Sequence, residues 1–70
     1  MLSKEQIENI FTYHAPTGDQ PERYERIRGE AKHLAYQINQ LCPDGEEKNL
    51  AMARLQESVM WANASIARKV

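Results

Sequence analysis

The sequence predicts an all-α fold: a short N-terminal helix followed by a long antiparallel helical hairpin. Three observations predict it. Apolar residues recur at alternating steps of three and four through two long segments, the spacing that buries one helix face against another. Breaks rich in proline and glycine separate each segment from the next. No run alternates apolar and polar residues at the strand period.

The first helix is expected from Ser3 to about Tyr13. Ser3 and Gln6 have the spacing of a capping box. Leu2, Ile7, Ile10 and Phe11 fall near one face. A helix this short is not stable alone, so that face must dock, with Phe11 assigned to packing. His14 to Asp19 (HAPTGD) reads as a turn. Pro16 biases Ala15 away from helix, Gly18 supplies conformational freedom, and Thr17 or Asp19 can cap the next helix.

The second helix is expected from about Gln20 to Leu41, with Pro21 in its first turn, where a missing N–H costs nothing. Tyr24, Ile27, Ala31, Leu34, Ile38 and Leu41 form its seam. Cys42-Pro43 ends it, and Asp44 is the expected N-cap of the third helix, Glu46 to about Ala67. There Met52, Leu55, Val59, Ala62 and Ile66 repeat the seam, while Leu50 and Trp61 lie on a neighbouring stripe. Arg68 and Lys69 suit the negative end of that helix. The short linker makes the two long helices antiparallel neighbours.

With 70 residues the chain reads as one domain, 1–70, with a thin core. One cysteine excludes an internal disulfide and suggests a reducing, cytoplasmic setting. MLSKEQIENIF has no apolar signal core, and no run suits a bilayer span, so no membrane role is expected. Self-association remains as the means of stabilising so small a core. Apolar surface left over on the third helix and its alanines at 51, 53, 62, 64 and 67 favour close helix packing between copies. Trp61 packing under the first helix within one chain is the alternative.

Net charge is −1, from 9 basic and 10 acidic residues. Binders of long duplex nucleic acid carry a positive excess, which this chain lacks; a small anionic ligand needs only a local cluster of positive charge and stays open. Arg23, Arg26, Arg28 and Lys32 crowd the second helix. At about 100° per residue, Arg28 and Lys32 share one flank of the seam, and Arg23 and Arg26 lie toward the other. Four residues apart, Arg28 and Lys32 repel unless an anion lies between them. Glu22 is placed to pair with Arg26, whereas Glu25 faces Gly29. The basic flank reads as a phosphate contact or as a solvated charged face. Gly29 marks either close approach by a partner or a tolerated cost of about 1 kcal/mol. Tyr13 either stacks on a nucleobase or covers the hairpin edge. His14 and His33 do not have ligand spacing, and no nucleophile–base or paired-carboxylate arrangement or phosphate loop is present. Neither a metal, a cofactor nor catalysis is expected. A small adaptor binding a host protein or DNA through the arginine flank is the alternative function.

FTYHAP, QPERYERIRGEAKHLA and ESVMWANASIAR together resemble the phage anti-CBASS protein 2 sponges, whose hairpin domain is shared with the Thoeris anti-defence sponges. The resemblance runs from about Phe11 to Arg68. It implies a helical homohexamer in the host bacterial cytosol that sequesters cyclic di- and trinucleotide messengers without cleaving them, keeping them from CBASS immune effectors. It places base stacking on Tyr13, phosphate contact on Arg28 and a weaker basic contact on Arg68. His14, Arg26 and Lys32 are neighbouring candidates. Where relatives often carry Lys, Arg28 changes the contact geometry. A thin hairpin has no pocket of its own, so the site is expected only where two copies meet.

Overall fold

The computed structural model describes residues 1–68, and all regular structure among them is helical. Helix α1 spans Lys4–Phe11, α2 Gln20–Leu41 and α3 Glu46–Arg68. Lys69, assigned to the basic end of the third helix, lies outside the described residues.

Local chemistry accounts for the helix ends. Ser3 Oγ accepts from the Gln6 N–H at 3.1 Å, and Gln6 Oε1 accepts from the Ser3 N–H at 2.8 Å. Both halves of the capping box are therefore present. α1 stops at Phe11, two residues short of Tyr13, because Thr12 turns to extended backbone (φ −106°, ψ 138°). Gly18 takes φ +56° in the following turn, a conformation costly for other residues. Asp19 precedes α2 but makes no capping bond; its carboxylate accepts from Arg23 Nε at 3.0 Å. At α3 the expected cap is replaced. Gly45 O accepts the first helical bond, from the Asn49 N–H at 3.1 Å, and Asp44 accepts instead from Lys48 Nζ at 3.0 Å. Lys48 Nζ also donates to Asn39 O at 2.9 Å, tying the start of α3 to the end of α2.

α2 and α3 pack side by side as the predicted hairpin. Half-buried Tyr24, Ile27, Ala31, Ala35 and Ile38 face Met52, Leu55, Val59, Ala62 and Ile66. The spacing put Leu34 and Leu41 in this seam; they are 45% and 76% exposed. A straight helix drifts against a 3.5-residue repeat. After Ala31 the seam therefore steps by four, to Ala35, and Leu34 rotates out.

The molecule measures 45 × 31 × 12 Å, so it is one helix diameter thick. Its radius of gyration is 15.4 Å, against about 11 Å for a globule of this length. It exposes 6084 Å², where a folded monomer of its mass exposes about 4,500 Å². No apolar residue among those described is buried. Phe11, assigned to packing, is 78% exposed, and Trp61 is 62% exposed rather than covered by α1. No helix among the described residues is long and apolar enough to cross a membrane.

Candidate functional site

One flank of the hairpin forms an open groove of about 660 Å³ between α2 and α3. Ala31, Ala35, Met52 and Val59 make its floor, while Arg28 and Lys32 stand on its α2 wall. The predicted sharing of a flank by these two bases is what the helix presents. A smaller recess continues the groove past Lys32 to Tyr36 and Asn39. Arg26 does not line the groove, as its place on the far side of the seam requires. Glu22 and Arg26 form no ion pair; Glu25 pairs instead with Arg28, Oε1 to Nη1 at 2.9 Å. The i,i+3 reach lets Glu25 turn away from Gly29 toward the guanidinium. Both partners stay largely exposed, so solvent screens the pair and leaves Arg28 exchangeable.

Tyr13 lies on the turn after α1 and is 83% exposed, its ring faces open. His14 is half-buried, and its Nε2 lies 2.7 Å from Asn9 O. A carbonyl only accepts, so Nε2 carries the proton and donates, leaving Nδ1 as the free nitrogen. The turn is thus folded back on α1. Asn9 in turn reaches α3, its Nδ2 lying 3.5 Å from Arg68 O. Arg68 shares a shallow recess with Asn9, Trp61 and Ser65.

The predicted site residues therefore fall in separate places. Arg28 and Lys32 share the groove. Tyr13 and His14 are on the turn, and Arg68 is at the end of α3. Tyr13 lines neither the groove nor the Arg68 recess. A single chain does not unite the aromatic ring with the phosphate-type base. Gly29 has nothing within 4 Å of the place a Cβ would occupy, so no backbone of the same chain approaches it.

Three polar side chains have surroundings that the sequence pattern does not announce. Glu25 was assigned no basic partner, although its i,i+3 spacing to Arg28 was the available signal. Gln20, the start of α2, is the only buried residue among those described. Asn63 has a buried Oδ1 with no donor among the described residues, and buried acceptors are rarely left so. It stands one turn beyond Val59 and Met60 of the groove lining. Nothing in the sequence distinguishes Gln20 or Asn63 from other helical amides.

A two-helix plate with an apolar groove, a basic wall and an exposed aromatic turn defines a small, open helical-hairpin module. The family model described as Acb2/Tad1, hairpin domain, matches residues 3–67, and the chain belongs to that family. The match takes in Tyr13 and Arg28 and stops one residue before Arg68. No curated protein and no solved structure matches the chain.

Proposed function

We propose that this protein is a phage anti-defence sponge. It binds cyclic dinucleotides, and cyclic trinucleotides as a further class, and holds them intact away from CBASS effectors in the host bacterial cytosol. Membership of the hairpin family supports this assignment. The observation that carries the mechanism is the separation of Tyr13 from Arg28 on a plate too thin to enclose a ligand. Two copies brought together offer two rings and two guanidiniums, matching the two bases and two phosphates of a cyclic dinucleotide. Stacking on Tyr13 holds a base, and Arg28 meets phosphate oxygens at two points.

Assembly is favoured by the same shape. The surface in excess of a folded monomer is about 1,600 Å², enough for roughly two standard faces of 800 Å² per copy. A protomer with two faces closes into a ring rather than stopping at a dimer, consistent with a homohexamer. No nucleophile, base or metal constellation is assigned, so sequestration requires tight binding and slow release, not chemistry.

The test is recovery. The protein is mixed with a panel of cyclic di- and trinucleotides, washed, heated and the released ligand analysed. Intact ligand is expected. Degraded ligand points to an enzyme, and no binding to any member of the panel ends the proposal. Native mass measurement on the same samples gives the number of chains.

A further inference from the structure

Gln20 is the most deeply buried residue described, at 9% exposure, and it is polar. Burying an amide is costly unless both ends find partners. Here they do. Nε2 donates to the Ile66 carbonyl at 2.9 Å, and Oε1 accepts from the Thr17 N–H at 2.9 Å. Ile66 lies near the end of the described part of α3. Gln20 therefore binds α3 from another element and grips the turn with the same side chain. Asn9 approaches the neighbouring Arg68 carbonyl, and His14 folds back onto Asn9. The turn bearing Tyr13 is thus tethered at both ends to the terminus of α3.

We infer that Gln20 is a positioning residue for Tyr13: its amide clamps the turn to α3 so that the ring meets a ligand already ordered. The inference rests on the sponge function proposed above. Residues Thr12–Asp19 contain no helix. Without the clamp, ligand binding would have to order this segment, and that ordering is subtracted from affinity. The side chain's length and its paired donor and acceptor are both required. Leucine retains the bulk and loses both bonds. Glutamate retains the acceptor for Thr17 but sets a carboxylate against the Ile66 carbonyl.

The experiment uses the full chain and two probes, cyclic di-AMP and cyclic GMP–AMP. Gln20→Leu is expected to weaken binding of both by about tenfold while the assembly mass stays unchanged. By NMR, the Tyr13 amide should gain mobility and the Thr17 amide should exchange faster. Gln20→Glu supplies a rescue that a purely structural loss would not show. At pH 8 it should bind as poorly as Gln20→Leu. Burial opposite a carbonyl pushes the introduced carboxyl upward, so near pH 5 its protonated form can donate to Ile66 O, and binding should return toward that of the unaltered protein at the same pH. That reference absorbs any effect of pH that arises elsewhere in the protein, including at the charged or ionisable neighbours Asp19, Arg23, His14 and Arg68. If Gln20→Leu loosens the turn but binds as tightly as the unaltered protein, ring ordering does not matter and the positioning role is wrong. An unchanged turn refutes the clamp itself. Should Gln20→Leu fail to fold, Gln20→Glu decides alone, and no recovery at low pH overturns the role. If the unaltered protein binds neither probe nor any other cyclic nucleotide, the sponge function falls and takes the positioning role with it.

Discussion

Along the α2–α3 seam the facing side chains are mostly apolar, with polar bonds only near its ends, and no apolar residue among those described is buried. From Thr12 to Gln20 the contacts are polar, amide and imidazole groups on carbonyls and a guanidinium on the Asp19 carboxylate, and the one buried residue described is a glutamine. Two ways of holding a chain together are set side by side in 68 described residues. The seam leaves an open groove beside it, which under the proposed function a second copy covers. The turn is bonded within the chain, through Gln20 to α3 and through His14 to α1. On this reading, stability resides in the assembly of hairpins, and ligand geometry resides in the polar tether. Each can be damaged without the other.

The largest effect should come from the seam. Val59, half-buried on the groove floor, has no polar partner there. Val59→Asp places a charge against Ala31, Ala35 and Met52 and should cost about 3 kcal/mol or more. Because a single plate buries so little, assembly and helix content should be lost together, read by sedimentation and far-ultraviolet circular dichroism. The unaltered protein should likewise melt at a temperature that rises with its concentration. A helical, monomeric Val59→Asp would show that the hairpin stands alone and that the covering partner is not needed.

Tyr13→Ala is the counterpart in the turn. The ring is exposed and tied into no packing, so its loss should leave mass and melting unchanged. Affinity for a cyclic dinucleotide should fall by about 1–3 kcal/mol, the worth of one stacked base, measured by calorimetry. A fall in melting temperature of similar size would instead assign Tyr13 to covering the hairpin edge.

The contrast between the regions also explains what was legible in the sequence. Helix existence, the Ser3–Gln6 capping box and the Gly18 turn depend on neighbours in the chain, and residue types report them directly. The seam was legible to within a rotation. Alternating three-and-four spacing cannot say whether the partner helix meets Leu34 or Ala35, because that depends on how a straight α2 drifts past α3. Phe11 looked like core because large aromatics usually find one, and a plate 12 Å thick provides none for it. Gln20 was invisible for the opposite reason. Its role depends on a carbonyl 46 residues away, and no spacing rule reaches that far.

A smaller effect concerns the outer face of α2. Gly29 costs its helix about 1 kcal/mol relative to alanine, and a Cβ there meets nothing in the chain. Gly29→Ala should raise stability by roughly that amount and leave ligand affinity and assembly mass as they are. A variant that is more helical yet binds or assembles less well would show that a second copy or the ligand comes against α2 at this point, adding a third region to the two compared here.

The finest test concerns Arg28, which stands on the groove wall beside the seam by position and is proposed for the ligand by chemistry. In the free chain its guanidinium is held by Glu25 at 2.9 Å. A phosphate must displace that carboxylate or share the arginine with it. The pair is exposed, so its removal frees only about 0.2–1 kcal/mol. Glu25→Gln should therefore tighten cyclic dinucleotide binding by a small factor, up to about fivefold at low ionic strength. The gain should shrink as salt rises, because screening weakens the competing pair in the unaltered protein too. The sign is the informative part. Tighter binding means that Glu25 competes with phosphate for Arg28. Weaker binding means that Glu25 aims the guanidinium and so orders the groove wall, as Gln20 is inferred to order the turn. In that case the polar tether and the groove would be arranged by the same principle, and the division between assembly and ligand geometry would have to be redrawn at Arg28.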